Sequence, residues 1–169
     1  MEISGSPECK ELLNNCLKVF KPFRGAYINV DYGLLPKGIA GRVNAEIETV
    51  RRRKKPGFFR KGTVRINRRI KNNEFYIRIN ANLSEISDEK LRKEAVTSII
   101  VHELLHIERK DLLEHSKNYH RRKHKKIHSA LEKEALERFN TLRGLENLEP
   151  LGKKNYLENE IKRRVSNTE

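Results

Sequence analysis

The sequence predicts an α+β fold: an N-terminal helix, an antiparallel β meander of three to four strands, a central helix carrying HELLH, and a further helix behind it. Three observations lead there. Apolar residues recur at helical spacing from Glu8 to Phe20, alternate with polar ones between Ala26 and Leu83, and return to helical spacing after Ser87.

In the first helix the apolar face is Cys9, Leu12, Leu13, Cys16, Leu17 and Phe20, with Ser6 and Pro7 as its start signal. Four strand-like stretches follow: AYINVDY, GRVNAEIETV, GTVRINRRI and EFYIRINANL. Between the second and third lies RRRKKPGFFRKG, Arg51 to Gly62, where Pro56-Gly57 marks a hairpin tip. Asn72-Asn73 separates the third from the fourth and tolerates a tight turn. Asp88 and Glu89 place negative charge at the start of a helix running through Leu91, Ala95, Ile99, His102 and His106. Val96, Ile100, Leu104 and Ile107 give that helix a second apolar stripe, which makes it central and buried. After a polar stretch, His120, His124, Ile127, Leu131, Ala135 and Phe139 mark another helix, ended near Gly144. Pro150 and Gly152 then break the chain, so residues 1–149 read as one domain and 150–169 as a basic tail, a short helix or disordered.

Hydrophobic and charged residues each make up 36% of the 169, which allows a modest core under a heavily charged shell. The net charge of +14 attracts polyanions, nucleic acid foremost, although a solubilising Lys-rich surface has the same composition. Cys9 and Cys16 are the two cysteines and read as buried core thiols on one helix face. With no long apolar run and no basic-then-apolar leader, the expectation is a soluble, cytoplasmic protein.

HELLH carries the chemistry. Histidines separated by three residues on a helix, His102 and His106, stand one turn apart on one face and can converge on a metal ion, here Zn2+. Glu103 is then placed to take a proton from metal-bound water, whose pKa zinc lowers to about 7, and to pass it to the departing amine. A zinc site needs a third protein ligand; His120, which opens the next helix, ranks first and His124, one turn on, is the alternative. His115, Glu132 and Glu134 follow, and His128 lies off the stripe. The plainer reading makes His102 a core histidine and Glu103 the partner of an arginine.

The order of helix, β segment with GIAGR (Gly38 to Arg42), strand ending IRINANL (Ile77 to Leu83) and then SIIVHELLH resembles the SprT-like metallopeptidases, zincins related to the small gluzincins. HRRKHKKI, His120 to Ile127, is similar to that family's third-ligand segment, with His124 where the family has a bulky aromatic. The resemblance spans about Glu8 to Leu142. It implies a zincin-like fold and a zinc-dependent endopeptidase, with His102, His106 and His120 on one zinc ion and Glu103 as base. It further implies that the strand through Ile77 and Ile79 lines the substrate cleft, and that the substrates are proteins or peptides, including proteins crosslinked to DNA.

Arg51, Arg52, Arg53, Lys54, Lys55, Arg60 and Lys61 surround Phe58 and Phe59, a combination suited to phosphate contact with stacking on unpaired bases. A charged hairpin whose phenylalanines fold back onto the core fits the same residues. The competing function is a basic nucleic-acid-binding module in which any metal site is structural or vestigial.

Overall fold

The computed structural model describes residues 1–53, 64–110, 112 and 121–166, with 51–53, 64–66 and 121–128 described by their backbone alone. In chain order the described elements are β1 (Glu2–Gly5), α1 (Pro7–Cys16), β2 (Tyr27–Gly33), β3 (Gly41–Asn44), β4 (Ile47–Arg53), β5 (Val64–Ile70), β6 (Glu74–Asn80), α2 (Glu89–Arg109), α3 (Arg121–Leu145) and α4 (Tyr156–Ser166). Short 3-10 turns follow α1 at Leu17–Val19 and β6 at Ala81–Glu85.

The fold is α+β, but the sheet is mixed rather than the expected antiparallel meander. Its order is β1-β2-β6-β3, with β1 parallel to β2, β2 parallel to β6, and β3 antiparallel to β6. Two physical causes separate expectation from structure. The N-terminal EISG pairs as a strand, so β1, α1 and β2 form a crossover unit that sequence periodicity over four residues does not reveal. Asn72-Asn73 is not a hairpin turn: both residues adopt left-handed backbone, φ 51° and 57°, and they kink one continuing path from β5 into β6.

β3 likewise runs on into β4 across Ala45-Glu46, and β4 pairs antiparallel with β5 as a separate two-stranded ribbon. The Lys71 N–H donates to the Glu46 carbonyl at 2.8 Å where the two paths bend together. The β3–β6 ladder therefore gives way, beyond the sheet, to the β4–β5 ribbon, which stands out as an arm.

One face of the sheet carries the core. Ile28 and Val30 of β2, Phe75, Ile77 and Ile79 of β6, and Val43 of β3 alternate inward and are buried against Cys9, Leu13 and Cys16 of α1 and Val96, Ile100 and Leu104 of α2. Cys9 and Cys16 are free thiols, both pushed up in pKa chiefly by burial. Asp88 caps α2, its carboxylate accepting from the Leu91 N–H at 3.1 Å. Behind α2 lie Leu131, Ala135 and Phe139 of α3.

The basic segment after Pro150 forms α4, which buries Leu157 and Val165. Asn155 caps it, accepting from the Glu158 N–H at 2.9 Å, and Tyr156 donates to the Glu94 carboxylate of α2 at 2.6 Å. Glu94 also pairs with Arg143 of α3 at 2.8 Å, both side chains about nine-tenths buried, so one carboxylate ties three helices. The Gly38 N–H and the Asn82 amide donate to the carbonyls of Val165 and Arg164.

Arg163 and Arg164 hold the Glu160 carboxyl down at about 2. A carboxyl depressed in the folded state adds stability above its unfolded pKa and loses it as pH falls through the folded value. Hydrogen exchange of α4 amides should therefore accelerate as pH drops from about 4.5 to about 2, corrected for intrinsic rates, and Glu160→Gln should flatten that dependence.

Gly5 sits at φ +125°, and a Cβ there would lie 1.8 Å from the Val30 carbonyl oxygen on the paired strand. Gly25, at φ +66°, has open space around it. In urea denaturation Gly5→Ala should cost at least ~3 kcal/mol, backbone strain plus a clash, and Gly25→Ala only about 1 kcal/mol, the left-handed backbone alone.

Candidate functional site

HELLH lies in the second half of α2. The rings of His102 and His106 stand 5.1 Å apart at 69°, the geometry that a one-turn separation dictates. His102 lines a cleft of about 660 Å³ between α2, α3 and α4, beside Glu132 and Phe139. Glu103 is only 5% exposed and points to the sheet: a Cβ on Gly41 of β3 would lie 3.2 Å from its Oε1 and 2.3 Å from Ile99 Cγ2. The absence of a side chain at Gly41 is what lets α2 rest this close on β3.

Among the described residues no group of three or more His, Cys, Asp or Glu side chains is placed to hold a metal ion. Two imidazoles are one ligand short of the three that a catalytic zinc site takes from protein. His115 and His120 lie outside the described residues, and His124 and His128 fall where α3 is described by backbone alone. Glu134, another candidate, is held by Arg109 and by Arg138 at 2.7 Å, which draw its carboxyl below the usual range. This finding overturns the zinc-dependent endopeptidase, the Zn2+ cofactor and the description of α2 as a metal-binding active-site helix.

The strand through Ile77 and Ile79 is interior to the sheet. Ile77 and Ile79 are fully buried on β6, which has β2 on one side and β3 on the other and so offers no free edge to an extended peptide.

The basic residues divide between two places. Arg51, Arg52 and Arg53 end β4, whereas Lys54, Lys55, Phe58, Phe59, Arg60 and Lys61 lie outside the described residues. Arg65, Arg68 and Arg69 of β5 join the first group, so six of the ribbon's fourteen residues are arginine and one, Glu48, is acidic. Sequence reading missed these three because it stopped at the hairpin tip; the run VRINRRI was the signal. The register sets Arg52 opposite Arg65 and Glu48 opposite Arg69, the latter an ion pair at 2.5 Å. Like charges at opposed positions weaken pairing unless an anion neutralises them.

The ribbon buries neither face where its side chains are described. Ile47, 42% exposed, and Thr49 and Arg68 reach solvent on one side, Asn67 and Arg69 on the other. Ala45 and Ile70, packed partly against the core, anchor its base.

Gly41→Ala should destabilise the protein by about 1–3 kcal/mol through overpacking against Ile99. Because the clash is with Cγ2, Ile99→Ala in the same chain should recover part of that cost, so a double-mutant cycle in urea should depart from additivity by at least ~0.5 kcal/mol.

Among the described residues no helix is long and apolar enough to cross a membrane. Neither protein-family models, curated proteins nor solved structures provide a match to this chain, so the resemblance to SprT-like metallopeptidases is without support beyond the motif and is withdrawn.

Proposed function

We propose that this chain binds nucleic acid through the arginine-rich β4–β5 ribbon. The observation that carries the reading is the ribbon itself: a two-stranded arm with six arginines, one carboxylate and no apolar layer over the side chains that are described. A hairpin exposed on both faces gains little from burial, and directly opposed arginines subtract from it. Both costs fall when a polyanion lies along the arm. Guanidinium groups suit this task, since each offers forked donors to phosphate oxygens, and a two-stranded ribbon is narrow enough to enter the major groove of a duplex. The net charge of +14 adds long-range attraction to any such partner. Free, buried Cys9 and Cys16 agree with a reducing compartment, and a cytoplasmic location forms part of this proposal.

Affinity built on phosphate contacts depends on salt through counterion release. If about six cations contact phosphate, binding of a duplex oligonucleotide should weaken roughly 1,000-fold between 50 and 200 mM salt. Replacing Arg68 or Arg69 by Ala should reduce the slope of log K against log salt by about 1 each, with the urea midpoint nearly unchanged. No binding at 50 mM salt, or a slope indifferent to these variants, sinks the proposal.

A further inference from the structure

At the base of the arm, where β5 ends, Ile70 forms one wall of a cavity of about 490 Å³, a size ordinary for a small-ligand pocket. Its apolar side is Phe75, buried, and Phe23, half-buried and fixed against the core. Phe23 is further held by Phe20, ring centroids 6.0 Å apart, and Phe20 by the Arg138 guanidinium 4.4 Å from its centroid. Lys21, Arg24 and Lys110 stand at the rim, all exposed, and none pairs with a carboxylate among the described residues. The acid that lines the cavity, Glu108, is engaged by Arg138 at 2.6 Å and so does not offset the three cations.

From this we infer a nucleotide site: the pocket takes an unpaired nucleotide of the strand that the arm holds, its base against Phe23 and its phosphates among Lys21, Arg24 and Lys110. The inference rests on the nucleic-acid reading and adds a second point of contact to it. An apolar aromatic wall under a cationic rim matches a base with its phosphate and leaves an ordinary buried base pair without a partner, because a paired, stacked base does not present its face. The ribbon runs into the pocket through Ile70, so one strand could follow both. The preferred ligand is then a duplex with a single-stranded extension rather than a blunt duplex.

The test compares blunt and single-strand-extended duplexes by fluorescence anisotropy with the full chain. Arg24→Ala combined with Lys21→Ala, and separately Phe23→Leu, should each lower affinity for the extended duplex about 10-fold while changing the blunt duplex less than 2-fold. Thermal melts of each variant report its fold, and the lysine and arginine pair, being exposed, keeps the test open if Phe23→Leu does not fold. A 5-iodouracil in the extension should photocrosslink to Phe23, identified by mass spectrometry. Equal losses on both duplexes, no loss on either, or crosslinks confined to other residues overturn the pocket and leave the arm standing. Failure of both duplexes to bind the wild-type chain overturns the nucleic-acid reading and the pocket with it. Binding of poly-glutamate that competes with the extension and is equally sensitive to Arg24→Ala makes the site one for acidic peptides and also overturns the inference.

Discussion

The burial of α2 is the constraint on which the rest of the structure depends. Ala95, Val96, Ile99, Ile100, Val101, Leu104, Leu105 and Ile107 are buried around nearly its whole circumference, the pattern of a helix with neighbours on every side. The sheet covers one side; α1, α3 and α4 cover the others. Each large apolar side chain withdrawn from water contributes on the order of 1.5–3 kcal/mol, so displacing any neighbour exposes part of a stripe that no other element covers. Gly41 shows how tightly the contact is set, since β3 approaches until a single Cβ would overlap Ile99. That contact fixes β3 and β6, and these two strands are the root of the arm.

Charge along the arm is graded by the same ladder. The acids lie at its root, where Glu46, just before β4, pairs with Lys71 at 2.9 Å and Glu48, the ribbon's one acid, with Arg69. Exposed pairs of this kind add little stability each, but they bring the root close to neutral. Beyond Glu48 the described strands carry Arg51, Arg52, Arg53, Arg65 and Arg68 and no acid. The cationic part of the ribbon is thus the part farthest from the core, where a polyanion meets least of the protein's own bulk.

The helices were legible in the sequence because their burial is periodic. Cys9, Leu12, Leu13 and Cys16, and the two stripes of α2, repeat at helical spacing and are buried as that spacing requires. Strand pairing was not legible, since alternation tells which side a residue takes and not which strand lies beside it. GRVNAEIETV reads as one strand and is two, β3 in the sheet and β4 in the arm. Asn72-Asn73 has the composition of a turn and the left-handed backbone of one, yet the strands on either side of it do not pair: β5 lies beside β4, and β6 between β2 and β3. β1 is too short to show a period, and what fixes it is long-range: Gly5 fits against the Val30 carbonyl only because it lacks a Cβ.

HELLH illustrates a different limit. Its spacing is a statement about one helix, and the structure honours it: His102 and His106 stand one turn apart. A metal centre is a statement about at least two elements, because the third ligand has to be carried to that face by another segment. Among the described residues the tertiary arrangement around α2 assembles no group of three metal-ligating side chains, and it directs Glu103 onto β3. The arginines behave oppositely. No single run in the sequence defines the cationic arm, since half of its arginines lie on β4 and half on β5, with residues 54–63 between them; antiparallel pairing sets Arg52 opposite Arg65 and brings the two basic stretches into one ribbon. Where a motif is local, sequence overstates the site; where charge is divided between paired strands, sequence understates it.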